Sequence, residues 1–395
     1  MAAAAQLLPL TSLRFFAAIG VVLYHTYHPF LPSRPLPAIA DHAIAVGFLG
    51  VSFFFVLSGF ILAYNYLPPP GAGASTAMRG DARSFFVARF ARIYPLYLLG
   101  LVIHAPFMAS YRFAHDPNDA VALGKLFTTF AVNAGLLEGW LQFMRGGWNP
   151  PGWSLCAEAL FYALFPLLAP MLWRSRHRDR TLLALLYLAL LIVPTVAAIL
   201  LHTGRLQPHE NFSLEQFPLV RVPEFLFGIV LARSYRRGGV RSSWLWVAGA
   251  LILSAAVAVR AWIPEVLLQN GILVPAFALI ILGMSGGGGL VQRIMSHKTL
   301  VLLGEASYGI YILHVPLAWW FAWFGHSDAK LSEIPPQFAV DQPFYYAIYL
   351  TVLIGLSIVS LRWFEEPARR WIRGLDGRIR GKGEAVPVEE LVQAR

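Results

Sequence analysis

The sequence predicts an all-α, polytopic transmembrane bundle of about ten spans with both termini cytoplasmic, and three observations carry that prediction. Hydrophobic residues make up 57% of the 395 and charged residues only 13%, well outside the soluble average. Apolar runs of about 17 to 25 residues, the length that crosses a bilayer, recur along almost the whole chain. The formal net charge is +10, and the Lys and Arg residues cluster between the apolar runs, as they do on the inner side of a protein that crosses repeatedly. This composition leaves no room for a large soluble domain. It sets aside a nucleic-acid-binding module, a cytosolic dinucleotide enzyme and a secreted disulfide scaffold, and it makes the lipid bilayer, not nucleic acid, the first partner of the positive charge.

The first span runs over about 9 to 30. MAAAAQLLPLTSLRFFAAIGVVLYH is not a cleaved signal, because Arg14 interrupts its apolar stretch and no small-x-small site follows. Apolar segments then recur at 46 to 67, 86 to 110, 121 to 138, 153 to 173, 181 to 202, 217 to 233, 243 to 261, 266 to 283, 300 to 324 and 343 to 366. Orientation decides which of them cross. The clusters Arg83 to Arg92, Arg174 to Arg180, Arg233 to Arg241 and Arg362 to Arg380 share one side only if segment 121 to 138 does not cross. Residues 105 to 152 then form an outer-face region with a re-entrant or interfacial helix. Of the 31 Lys and Arg residues, about 23 lie on the inner side, a bias close to three to one.

The loops PPPGAGASTAMRGD (68 to 81) and GGGG (286 to 289) read as flexible inner connections without the GKS or GKT ending of a phosphate loop. The membrane domain is expected to occupy 1 to 373, with a polar, frayed cytoplasmic tail over 374 to 395. Cys156 is the single cysteine, so no internal disulfide or cysteine metal site can form, and no metal is expected. Its apolar surroundings make it a packing residue rather than a nucleophile.

Ionisable groups inside such a chain are costly, and each marks a candidate site. Arg14 and His25 are eleven residues apart in the first span, which at 100° per residue puts them on one face and about 16 Å apart along the axis. Glu158 is buried among Ala, Leu and Phe in WSLCAEALFYALFPLLAP (153 to 170), at a depth similar to His25. A His and a carboxylate together form a base and its orienting partner, which activates a hydroxyl for attack on an acyl carbonyl; alternatively Glu158 pairs with Arg221 or with another helix to fix packing. Arg89 and Arg92, one turn apart in RFARIYPLYLLG, suit an anionic phosphate or diphosphate. Further polar candidates are Ser58, Arg221, Glu224, Ser307, Tyr308 and His314. Tyr111, His115, Trp140, Trp148 and Trp153 are aromatic enough to stack on sugar rings, as interfacial belts also are.

Together these segments resemble the membrane-bound acyltransferase 3 family. The likeness runs in family order from LTSLRFFAAIGVVLYH through FLGVSFFFVLSGFILA, RFARIYPLY, WSLCAEALFYALFP, RVPEFLFGIVLA and GEASYGIYILHVPL to RWFEEPARRW, over about residues 7 to 372. It implies a bundle of about ten spans that moves an acyl group, usually acetyl from cytoplasmic acetyl-CoA, to a carbohydrate hydroxyl at or beyond the other face of the membrane. It implies a multi-pass location in the bacterial inner (plasma) membrane. The family's basic residue, ten others and a histidine fall on Arg14 and His25, its paired arginines on Arg89 and Arg92, and its buried acid on Glu158. Family members often read WSLSVEEQFY; this chain reads WSLCAEALFY and keeps only the first acid of the pair. Only a short polar stretch follows Trp371, so no carboxy-terminal esterase-like domain is expected.

On that resemblance His25 and Glu158 act as base and orienting partner, Tyr308 or Ser307 stabilises the oxyanion, and Arg14, Arg89, Arg92 and Ser58 hold the acyl donor. Trp153, Arg221 and His314 then contact the acceptor. A proton-coupled transporter or flippase of a glycan or small molecule is the competing class, since such bundles also bury His, Glu and Arg; no inverted repeat supports it. A catalytically silent scaffold in an envelope-polysaccharide complex is a third. The acceptor sugar, the acyl group, direct transfer against an acyl-histidine relay, and the oligomeric state are not legible.

Overall fold

The structure, a computed structural model, describes residues 7–68, 78, 80–144, 147–207, 212–239, 242–286, 288–326 and 340–379. Most of the loop at 68 to 81, Gly287, Arg241 and the tail from Arg380 onward lie outside these residues. The described residues form helices joined by turns and irregular segments, with no strand among them. In chain order the helices are α1 (Leu8–Phe30), α2 (Ala38–Ala45), α3 (Leu49–Tyr66), α4 (Ala82–His115), α5 (Asp119–Ala134), α6 (Trp153–Arg174), α7 (Asp179–His202) and α8 (Pro218–Arg236). The chain continues with α9 (Leu245–Ala258), α10 (Glu265–Gln269), α11 (Val274–Ser285), α12 (Leu290–Met295), α13 (Lys298–Glu305), α14 (Ser307–Gly325), α15 (Pro343–Ser360) and α16 (Glu366–Ile379). Helix α16 runs past the border expected at residue 373.

Seven helical stretches are long and apolar enough to cross a bilayer, or eight if α13 and α14, bent by 53°, count as one. The protein is therefore a multi-pass membrane protein. Each of the ten segments expected to cross is matched by a helix, but α8 carries Arg221, Glu224 and Arg233 and α9 has only 14 residues, so neither meets the criterion. Helix α5 is also outside the set. Local chemistry sets several boundaries. Pro9, Pro218, Pro275 and Pro343 sit in the first turns of α1, α8, α11 and α15, where a missing N–H costs nothing. The Asp81 carboxylate caps α4 by accepting from the Ser84 N–H at 2.8 Å.

Helix pairing follows from small residues. A Cβ on Gly59 of α3 would meet the Phe225 carbonyl at 2.0 Å, and one on Gly228 of α8 would meet the Val56 carbonyl at 2.0 Å, so these two helices touch backbone to backbone, the contact that small residues permit in membranes. The Arg-rich ends converge. Arg233 of α8 bonds Asp179 of α7 at 2.6 Å, Trp173 of α6 donates to the Pro68 carbonyl, and Tyr235 of α8 donates to the Ser285 carbonyl of α11. Arg83 of α4 pairs with Asp376 of α16 at 2.8 Å. These bonds gather the ends of α3, α4, α6, α7, α8, α11 and α16 on one side, the arginine end of the bundle. The connection from α5 to α6 dips into the opposite side: Glu138, Trp148 and Asn149 are buried, and Tyr97 in the middle of α4 donates to Glu138 at 3.0 Å.

Candidate active site

Helices α1, α3, α4, α6 and α14 enclose a cavity of about 920 Å³ including its open mouth, and seven of the predicted polar residues line it: Arg14, Ser58, Arg89, Arg92, Glu158, Ser307 and Tyr308. No described residue forms a hydrogen bond or ion pair with Arg14 or Arg92. Arg89 is buried; its Nη2 donates to the Tyr66 hydroxyl at 3.3 Å, its Nε has no partner among the described residues, and the rings of Tyr66, Phe85 and Tyr162 surround it. Glu158 is the one acid in the lining and accepts from Tyr162. Three guanidinium groups against one carboxylate give this end of the cavity an excess of positive charge, the chemistry that suits an anion. Beyond them the walls are apolar, with Phe54, Phe55, Ile61 and Leu62.

A second constellation lies farther along α1 and α14. Nδ1 of His25 is 3.1 Å from Nε2 of His314, with the rings stacked at 5.2 Å. Nδ1 of His314 is 2.6 Å from the Tyr311 carbonyl. A carbonyl can only accept, so Nδ1 of His314 carries a proton and Nε2 is its lone pair. His25 must then donate from Nδ1, which in the neutral ring leaves its Nε2 unprotonated. His314 is fully buried and His25 only partly so. The helix around His314 is held from outside: Pro316 removes the N–H that the Ile312 carbonyl would accept, and Asn149 Nδ2 replaces it at 3.0 Å. Tyr349 donates to the His314 carbonyl at 2.9 Å. Tyr311, the α14 residue at the far end of the cavity lining, lies one turn before His314, and its hydroxyl meets Ser154 at 2.8 Å.

Several expectations are corrected. Glu158 does not orient His25; its partner is Tyr162, and His314 takes the role. Tyr308 donates its proton to the Ile93 carbonyl and lies about 9 Å below His314 by helical rise, and Ser307 lies lower still, so neither can hold an oxyanion formed beside His25. Ser307 is instead a buried hydroxyl on the cavity wall, without a partner among the described residues. Arg221 pairs with Glu224 at 3.4 Å, not with Glu158, and with the Glu215 carbonyl at 2.7 Å. Buried and so bonded, it clamps α8 to the loops rather than contacting an acceptor. Its guanidinium covers Trp153, 5.5 Å away. Trp148 is buried and bonded to Thr129, which removes it from any sugar platform, whereas Tyr111 and Trp140 remain exposed. Cys156 is buried and its sulfur accepts from the Gly139 N–H, a packing role. Asn149, Tyr311 and Glu138 were missed. An acid closing the apolar run in GLLEGW was a signal for Glu138; Asn149 had none, because its partner is 163 residues away.

The profile described as an acyltransferase domain matches residues 10–362. The chain belongs to the acyltransferase 3 family. Arg14, His25, Arg89, Arg92, Glu158 and His314 all fall within the match, and the protein is an acyltransferase. It is 30% identical over 315 residues to the acyltransferase MdmB of Streptomyces mycarofaciens, covering 77% of each chain. It is 23% identical over 377 residues to the O-acetyltransferase OatA of Staphylococcus aureus, covering 91% of this chain and 57% of that one. The peptidoglycan O-acetyltransferase OatA of Listeria monocytogenes is 23% identical over 386 residues, 91% of this chain and 55% of that one. The chain thus spans just over half the length of the two O-acetyltransferases. No solved structure matches it.

Proposed function

We propose that this acyltransferase moves an acetyl group from cytoplasmic acetyl-CoA to a hydroxyl of a carbohydrate in an envelope or exported polysaccharide, within a bacterial inner membrane. The chain crosses ten times with both termini cytoplasmic, so the arginine end faces the cytoplasm and the His25 end the acceptor side. The observation that carries this reading is one cavity with three arginines at its mouth and a histidine pair one turn past its far end. Phosphates of CoA supply the counterions that Arg14 and Arg92 lack among the described residues, and the pantetheine arm lies along the Phe54, Phe55 and Leu62 wall. Two of the relatives are O-acetyltransferases, which supports an oxygen acceptor.

In the transfer step Nε2 of His25 takes the proton of the acceptor hydroxyl as its oxygen attacks the thioester carbonyl. The tetrahedral intermediate collapses with loss of the CoA thiolate, which takes the proton back from Nε2 of His25 and leaves as the thiol; an ester replaces the thioester and the base is regenerated. His314 holds His25 in the tautomer that can accept. Glu158 and Tyr162 set one acid against the three arginines beside the arm. Purified protein in nanodiscs, given acetyl-CoA and an oligosaccharide acceptor, is expected to release free CoA thiol in step with an acetylated sugar seen by mass spectrometry. Glycan or small-molecule flux into vesicles with no dependence on CoA would instead establish a transporter.

A further inference from the structure

A side chamber of about 390 Å³ opens beside the main cavity and shares Thr11, Arg14, Arg92 and Tyr308 with it. Its remaining walls are Glu305, Leu361 and Arg369. Arg369 lies on α16, beyond the stretch that the acyltransferase profile covers. Helix α16 has an inverted character: Trp371 and Ile379 are 67% and 71% exposed, while Arg369 and Arg373 turn inward. A π turn over Leu361–Glu365 joins α15 to α16; such a turn inserts a residue and rotates the helix beyond it. The Arg83 to Asp376 bond pins the helix onto α4. Cations are thereby carried in from the aqueous side to a mouth that already holds Arg14, Arg89 and Arg92, which costs desolvation and repulsion unless an anion lies among them. Glu365, 2% exposed, bonds Nη2 of Arg369 at 2.9 Å, and Glu305 is the chamber's own acid; two carboxylates thus stand against Arg14, Arg92 and Arg369, which leaves the chamber one positive charge in excess. Arg373, one turn on, stands within electrostatic reach of Arg89 and Arg92, and its Nε is buried with no hydrogen-bond partner among the described residues.

We propose that the side chamber is a second anion subsite, which takes the 3′-phosphate at the nucleotide end of the donor, with Arg369 as its dedicated cation and Glu365 as the residue that positions it. The inference rests on acyl-CoA being the donor. It makes the enzyme selective for complete CoA thioesters over donors without that phosphate.

The test compares acetyl-CoA with acetyl-3′-dephospho-CoA for the wild type and Arg369→Gln in nanodiscs. The binding of adenosine 3′,5′-bisphosphate and of adenosine 5′-monophosphate is measured alongside. One charge-assisted hydrogen bond corresponds to roughly 10-fold or more, so the wild type is expected to show a KM about 10-fold lower for the complete donor. Arg369→Gln should bring that ratio to about 1, Arg369→Lys should restore part of it, and Glu365→Gln should lower it a few-fold. Arg370→Gln, exposed on the same turn, controls for charge lost from the helix and should keep the ratio. A ratio near 1 in the wild type, or one that survives Arg369→Gln, overturns the subsite while transfer from acetyl-CoA leaves the donor assignment standing. Preferential binding of the bisphosphate that vanishes in Arg369→Gln, with no acyl transfer from either donor, keeps the subsite and removes acetyl transfer from the proposed function. Absence of that preference in binding overturns the subsite as well.

Discussion

Arg14 and His25 occupy one face of α1, yet their surroundings are opposite in kind. Around Arg14 the protein leaves charge unsatisfied: neither it nor Arg92 has a partner among the described residues, and Arg89 has only a tyrosine hydroxyl. Around His25 the bonds are made between neutral groups, through His314 to the Tyr311 carbonyl and from Asn149 to the carbonyl that Pro316 orphans. An incomplete cationic site is completed by a ligand that brings charge. A complete neutral relay fixes one tautomer before any ligand arrives. On the proposed function, donor binding at the arginine end and chemistry at the histidine end should therefore be separable by substitution.

The largest expected effect is on the relay. His25→Ala should lower acetyl transfer by about 10² to 10⁴-fold with acetyl-CoA binding preserved; full transfer at normal expression would remove the base from the mechanism. Arg92→Gln should act at the other end, raising the KM for acetyl-CoA by roughly 10 to 100-fold with kcat little changed, and an equal fall in kcat would join the two regions that the comparison separates. His314→Ala removes the acceptor that holds the His25 proton. A loss of roughly 5 to 30-fold in kcat is expected, in line with about 1 to 2 kcal/mol for a lost hydrogen-bond partner, and a change confined to the melting temperature would make the pair mere packing. Asn149→Ala should have the smallest effect, a stability loss of about 1 kcal/mol seen as a lower melting temperature in detergent, with the donor KM unmoved.

Much of this was legible because the bilayer writes simple rules into a chain. Apolar runs located the helices, and Arg clusters located the end where α4, α6, α8 and α16 meet. The price of burying ionisable groups singled out Arg14, Arg89, Arg92 and Glu158, which do line one cavity. Breaks inside runs were harder to see. The run at 266 to 283 is interrupted between α10 and α11, where Gly271 adopts φ 102°, and the run at 300 to 324 bends by 53° between α13 and α14, next to Gly304, which lies against the Thr11 carbonyl; hydropathy registers neither the breaks nor such contacts. Pairing was harder still. His25, Glu158 and Arg221 each had a plausible partner by depth alone, but depth is one coordinate of three. The angular position of each helix decided that His25 meets His314, Glu158 meets Tyr162 and Arg221 meets Glu224.

By itself the sequence determined a helical membrane protein, the placement of nearly every apolar segment, and the short set of charged residues that such a chain cannot carry without purpose, since hydropathy and charge act residue by residue along the chain. Only the tertiary structure decided which of those residues face one another, that the cavity stops one turn short of His314, and that α16 turns Arg369 and Arg373 inward. Those facts depend on helix rotation and on close backbone contacts between segments far apart in the chain, and no local pattern encodes them.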